Sequence, residues 1–254
     1  DAPHGPRRAS GLVRLTAWSE HPPPAGLPHR SSAWRGRGIR RLGSDRVVEE
    51  DWLAVYRERS RPLEIGRRLL VDPREPGELV DAGDRLLLRV PARRAFGTGS
   101  HESTRLVLEW LEDLDLRHRR VLDLGCGSGI LSLAALRLGA RSCVGLDVDP
   151  VAVFVARETA RLNDQRFTLL AGDLGCLRGP GFDLALVNVL PSEWIDGADG
   201  LSGLLAAGGC AILSGIPEAA ADAVAARMVG LGWREAERRA EGEWVALRLE
   251  REGA

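Results

Sequence analysis

The stretch VLDLGCGSGILSLAA, residues 121–135, constrains the fold of this chain more than any other. A short apolar run reads as a strand, three alternating glycines as a tight turn, and the apolar residues after them as a helix. Gly125, Gly127 and Gly129 carry no Cβ, so the backbone can turn sharply and approach a ligand closely. The helix that follows points its N-terminus, with its unpaired N–H groups, at that ligand. Roughly 20 residues later Asp147 closes a second apolar run, the position at which such folds hold ribose hydroxyls. The spacing also separates nucleotide classes. A dinucleotide fingerprint requires G-x-G-x-x-G, and Ile130 stands where the third glycine belongs. The pattern here is D-x-G-x-G-x-G, from Asp123 to Gly129, which disfavours a nicotinamide enzyme.

Around this unit strands and helices alternate. HESTRLVLEWLEDL (101–114) has Leu106, Trp110 and Leu114 on one helical face. SCVGLDVD reads as a strand, and Pro150 opens the helix PVAVFVARETARLN. FTLLAGD, FDLALVN and GCAILSG are further strands, with helical stretches around 192–206 and 217–231, and EWVALRLE is a final strand. Alternation of this kind predicts an α/β fold with a doubly wound, mostly parallel sheet covered on both faces. Upstream, residues 49–94 read as a connector. VEEDWLAVYRERSRPL has Trp52, Leu53 and Tyr56 at helical spacing, and RRLLVDP and DRLLLRVP read as two short strands.

Residues 1–48 differ in composition. They hold nine Arg against three acidic residues and six of the 14 prolines, so this stretch is basic while the remainder of a chain of net charge −1 is acidic. It reads as a basic N-terminal arm or a small, degenerate recognition domain; contact with an acidic partner and a simple solvated tail both fit it. The expected division is therefore 1–48, 49–94 and 95–254. All 35 basic residues are Arg, which excludes a lysine nucleophile or a phosphate-binding lysine. Cys126, Cys143, Cys176 and Cys210 form no CxxC pair, and the five histidines complete no zinc spacing. Buried free thiols, no metal and a cytoplasmic location are expected. No apolar run approaches the ~18 residues of a membrane span. The first residues lack a signal-peptide pattern and begin with Asp rather than Met, as in a trimmed or incomplete chain.

With Asp123, the three glycines and Asp147 in strand–turn–helix context, residues ~95–250 resemble the class I S-adenosylmethionine-dependent methyltransferases. The resemblance implies a seven-stranded sheet whose last strand runs antiparallel. It implies that Asp123, Gly125, Gly127 and Gly129 form the cofactor loop, with Gly125 against the methionine part and Asp147 on the ribose. Asp173, in LLAGDL, would lie near the adenine; a plain helix N-cap is the alternative. AFGTGSHEST (95–104), DLGCGSGIL and VNV, in that order, together with EDWL and EGEWVAL, are similar to the ribosomal protein L11 methyltransferase family. The sequence departs from that family's pattern at Ser103, where a Thr is usual, and in the first 48 residues. VNVLP also differs from the (N/D)-P-P-(Y/F) of methyltransferases acting on glutamine or adenine.

The resemblance implies transfer of methyl groups from S-adenosylmethionine to amino groups of L11, on Lys side chains or the N-terminal amine, with the basic arm available for weak RNA contact. Asn188, ending the fourth strand, is the candidate for aiming the amine; its carbonyl can accept an N–H. Phe96 is the candidate for covering the methyl, since a sulfonium favours an aromatic face. By resemblance the Thr104 hydroxyl touches the methionine end of the cofactor. His101, Glu243 and Trp244 are further candidates in the acceptor region. Another acceptor, or a non-catalytic cofactor-binding subunit, are the competing readings.

Overall fold

The computed structural model describes residues 60–77, 79–93 and 97–251. The basic stretch 1–48, the expected helix around Trp52, Leu53 and Tyr56, and Phe96 lie outside the described residues.

The connector contributes a small sheet of its own. The two expected strands are β2 (Leu69–Asp72) and β3 (Leu86–Arg89), which pair in parallel; β1 (Leu63–Ile65) adds to β2 antiparallel. Two polar clasps fasten this sheet to the main domain. The Glu112 carboxylate accepts the N–H groups of Arg67 (2.7 Å) and Arg68 (2.8 Å) in the β1–β2 turn. Asn163 accepts the Arg89 N–H (2.8 Å) and donates to the Arg89 carbonyl (2.7 Å), completing both hydrogen bonds a neighbouring strand would have made.

The main sheet has seven strands: β4 (Arg120–Leu124), β5 (Ser142–Asp147), β6 (Thr168–Ala171), β7 (Phe182–Asn188), β8 (Leu205–Pro217), β9 (Trp233–Glu241) and β10 (Trp244–Arg251). Their order is β6-β5-β4-β7-β8-β10-β9. The pairs β6/β5, β5/β4, β4/β7 and β7/β8 are parallel, and β10 is antiparallel to both β8 and β9. The expected doubly wound sheet with an antiparallel last strand is borne out. The helices are α1 (Glu102–Asp113), α2 (Ile130–Arg137), α3 (Pro150–Leu162), the short α4 (Pro191–Trp194), α5 (Ala198–Leu204) and α6 (Ala221–Val229).

The strand period divides the core in two. Leu184 and Leu186 of β7 join one apolar cluster with Leu106, Trp110 and Leu111 of α1 and with Ile65, Leu69 and Leu88 of the small sheet. Their neighbours Ala185 and Val187 face the opposite way, into a cluster with Leu201 of α5 and Val224 and Met228 of α6. Side chains alternate across a strand, so a strand buried on both faces must be apolar at nearly every position. That is why FDLALVN shows a run rather than an alternation.

Candidate active site

The glycine turn hangs on the end of β5. Gly125 and Cys126 donate their N–H groups to the Leu146 carbonyl (2.8 and 3.1 Å), and Gly127 donates to Asp147 Oδ2 (2.9 Å). Asp147 Oδ1 accepts the Asp149 N–H (3.0 Å), and Asp149 caps α3 through the Val151 N–H (2.8 Å). Gly125 has φ +70°, and a Cβ built on it would lie 2.2 Å from Val189 Cγ2, so any other residue there is strained and must displace the Val189 side chain.

Asp123 supports the turn from below. Its buried Oδ2 accepts the Ser132 N–H (2.9 Å) and hydroxyl (2.6 Å), while Oδ1 is buried without a partner. Burial pushes this carboxyl up to about 6, against the lowering effect of the Ser132 bonds and with help from the Asp147 charge. Burial likewise raises the Cys126, Cys143 and Cys210 thiols well above their ordinary range, so these cysteines are packing residues rather than nucleophiles. Cys176 is the exposed one of the four.

The segment upstream of α1 crosses over this turn. The Ser128 hydroxyl donates to the Gly97 carbonyl, and Thr98 and Ser100 share a hydrogen bond of 3.1 Å. His101 caps α1: its Nδ1 accepts the Ser103 N–H (3.3 Å) and pairs with Ser103 Oγ (2.8 Å). Thr104 is fully buried in the first turn, and its Oγ1 accepts from Asn188 Nδ2 (3.1 Å). The Ser103 carbonyl accepts the Ser214 hydroxyl (2.8 Å), which ties α1 to β8 as well. Asn188 Oδ1, by contrast, is buried with no partner. Gly215, at φ +71°, leaves room beside it; a Cβ there would stand 3.2 Å from Asn188 Oδ1.

These elements enclose a cleft of about 550 Å³ at the C-terminal ends of the parallel strands, the usual ligand position in a doubly wound sheet. On one side lie Gly125, Gly127, Leu146, Asp147, Val148 and Gly172. On the other lie Asn188, Leu190, Glu193, Trp194, Gly215, Trp244 and His101, whose ring meets Trp244 edge-on at 4.9 Å. Of the candidates named from sequence, Gly125, Gly127, Asp147, Asn188, His101 and Trp244 line the cleft. Asp123 and Thr104 stand behind it, and Gly129 is the left-handed N-cap of α2. Asp173 is exposed and caps the turn at Leu174–Cys176 through the Gly175 N–H (2.8 Å). Glu243 is exposed, and its carbonyl accepts the Glu218 N–H (3.0 Å). Glu193, Trp194 and Gly215 were not picked out from sequence. Their only signals were a position just after Asn188 and a glycine at a strand end.

The charge of the cleft selects among cofactors. Asp147, Asp149 and Glu193 line it, and among the described lining residues there is no Arg. A pyrophosphate would face carboxylates with no cation to offset them, whereas a nucleoside carrying a sulfonium and no phosphate meets no such penalty. The Asp147 carboxylate suits a ribose diol, and the space beside Gly125 and Gly127 suits a close-lying ligand chain.

A sheet of this order and polarity, with a D-x-G-x-G-x-G turn and an acidic residue closing the next strand, defines a class I S-adenosylmethionine-dependent methyltransferase, and S-adenosylmethionine is the cofactor of this chain. The profile of the family described as "Ribosomal protein L11 methyltransferase (PrmA)" matches residues 34–252. The chain belongs to that family. It is 41% identical over 207 residues to the ribosomal protein L11 methyltransferase of Geobacter sulfurreducens, covering 82% of this chain and 68% of the relative. It is 37% identical over 235 residues to that of Parasynechococcus marenigrum, covering 90% of this chain and 78% of the relative. The crystal structure of the ribosomal protein L11 methylase from Lactobacillus delbrueckii subsp. bulgaricus superposes with a TM-score of 0.69 at 27% identity, over 75% of this chain and 98% of that one. The family match takes in residues 34–48, part of the stretch read from sequence as a basic arm.

Proposed function

We propose that the enzyme methylates amino groups of ribosomal protein L11, on Lys side chains or the N-terminal amine. One observation carries this reading beyond cofactor binding: Asn188 Oδ1 is a buried acceptor without a partner in a residue that lines the cleft. An orphaned buried carbonyl costs roughly 1–3 kcal/mol, and an amine N–H from the acceptor would satisfy it.

When bound, S-adenosylmethionine supplies a methyl group already activated on a sulfonium. The protein's part is position and exclusion of water. Asp147 would accept the ribose hydroxyls, and the turn at Gly125 and Gly127 would hold the methionine end. Asp123 holds that turn through Ser132. Gly172 lines the cleft just after β6, with Asp173 next in the chain, and this end would take the adenine. Thr104 accepts one amide proton of Asn188, so the Asn188 carbonyl faces one way and the bound amine's lone pair is aimed by the N–H that carbonyl accepts. The amine must be neutral when it attacks. The carbonyl of Asn188 removes no proton; it orients the nitrogen after the proton has left to solvent. The basic stretch 1–48 is assigned to contact with an acidic surface of the partner, RNA included. A cytoplasmic location accompanies this reading; among the described residues no helix is long and apolar enough to cross a membrane.

A labelled-methyl assay on L11, with calorimetry for the cofactor, tests it. Asn188→Ala is expected to lower transfer by about 10²-fold, the usual scale for one polar positioning group, with cofactor binding nearly unchanged. An L11 left unlabelled by an enzyme that binds cofactor overturns the acceptor assignment.

A further inference from the structure

We propose that Glu193 determines acceptor specificity by holding the cationic form of the incoming amine at the cleft mouth. This rests on the amine-methylation reading above. Three carboxylates line the cleft. Two of them are committed: Asp147 to the Gly127 and Asp149 N–H groups, Asp149 to the cap of α3. Glu193 is exposed on α4, and its carboxylate makes no hydrogen bond or ion pair among the described residues. Only its backbone is fixed, through N–H donation to the Leu190 carbonyl (2.9 Å). It follows Asn188 by one tight turn, in a cleft whose lining also includes Trp194 and Trp244.

Among the described residues other exposed carboxylates, Asp196 and Glu218 for example, are also unpaired; what distinguishes Glu193 is its place in the cleft lining. In the same domain Arg74, Arg105, Arg120, Arg227, Arg234, Arg238, Arg239 and Arg248 each have a carboxylate within 4 Å. Arg is abundant, yet none stands among the described residues of this cleft. A lysine or N-terminal amine is protonated at neutral pH, so the form that arrives is a cation. An unpaired carboxylate at the mouth attracts that cation, and the two indole rings give its alkyl stem an apolar wall. The amine then loses its proton to solvent and passes to the Asn188 carbonyl. Glu193 acts on capture of the ammonium and on its protonation equilibrium, before the neutral nitrogen reaches Asn188 and the methyl is transferred, which makes it a specificity-determining residue.

This division has a kinetic signature that a structural role would not produce. A water-exposed ion pair is worth roughly a threefold change in affinity. Removing the carboxylate weakens capture and also makes the bound amine easier to deprotonate. In Glu193→Gln the KM for L11 is expected to rise about threefold, the cofactor Kd to stay constant, and the rising limb of kcat against pH to move about half a unit toward acid. Glu193→Asp, which keeps the charge, is expected to retain the wild-type limb. If KM and the limb stay put in Glu193→Gln, or if KM and the cofactor Kd rise together, this inference fails while the amine reading stands. If the wild-type enzyme leaves L11 unlabelled, the amine reading fails and this inference with it.

Discussion

The contact between Gly125 and Val189 offers a strict test of how the cofactor turn is held. An added methyl at Gly125 meets two obstacles. The left-handed backbone, at φ +70°, costs an L-residue about 1–2 kcal/mol. The new Cβ would also lie 2.2 Å from Val189 Cγ2, and overpacking of this kind costs about 1–3 kcal/mol. Gly125→Ala should therefore destabilise the domain by about 2–5 kcal/mol. The two contributions can be separated because the offending atom is the end of a side chain. Val189 Cβ is 3.6 Å away, an ordinary contact, so Val189→Ala removes the clash and leaves the backbone strain. In the Val189→Ala background, Gly125→Ala should cost only about 1–2 kcal/mol, and the difference is a coupling energy of about 1–3 kcal/mol. Urea denaturation of the four proteins measures this, provided the slope stays constant across them. Calorimetry should show cofactor affinity falling in Gly125→Ala and partly recovering in the double variant, since both residues line the cleft. Equal costs of Gly125→Ala in the two backgrounds would refute the argument, because the strain would then owe nothing to Val189.

Two further outcomes follow from buried carboxylates. The Asp123 carboxyl is raised from 3.8 to about 6 in the folded chain, so the fold favours its protonated form. The contribution of this group to stability should be fullest below about pH 4, decline as pH rises through about 6, and level off above that, a total of about 3 kcal/mol. Asp123→Asn should flatten this decline in urea midpoints taken from pH 4 to 7. Glu112→Ala strands the N–H groups of Arg67 and Arg68. It should cost about 2–4 kcal/mol and speed amide exchange at those two residues before the main sheet opens.

The sheet was legible from sequence wherever burial on both faces had written apolar runs, as in RVLDL and FDLALVN. It was not legible in β9. WREAERRAE carries neither a run nor an apolar alternation, because β9 is the outer strand of the order and faces water. Only Trp233 of its residues is buried. The strand is held by backbone pairing to β10 and by ion pairs such as Arg234 with Glu250 and Arg238 with Asp222. Charge on an edge strand also blocks pairing with other chains, which makes such strands read as loops or helices. The start of β8 was absorbed into a helical stretch for a related reason. Leu205–Ala207 continues the apolar pattern of α5 without punctuation, and the glycines that end that pattern, Gly208 and Gly209, lie inside the strand.

The site divides along another line. Gly125, Asp147 and Asn188 could be placed because each closes or follows a strand, and the C-terminal ends of parallel strands converge by topology alone. What surrounds Asn188 comes from places with no mark in the sequence. Thr104, 84 residues away, holds its amide; Gly215, one strand over, leaves the space beside its oxygen; Glu193 and Trp194 arrive only because α4 begins at once. The features that give this cleft its chemistry are two absences among the described residues, a carbonyl with no donor and a lining with no arginine. A motif can register a residue that is present. An absent partner is a property of three-dimensional neighbourhoods: the orphaned Asn188 oxygen and the unpaired Glu193 become visible only when the lining of the cleft is assembled.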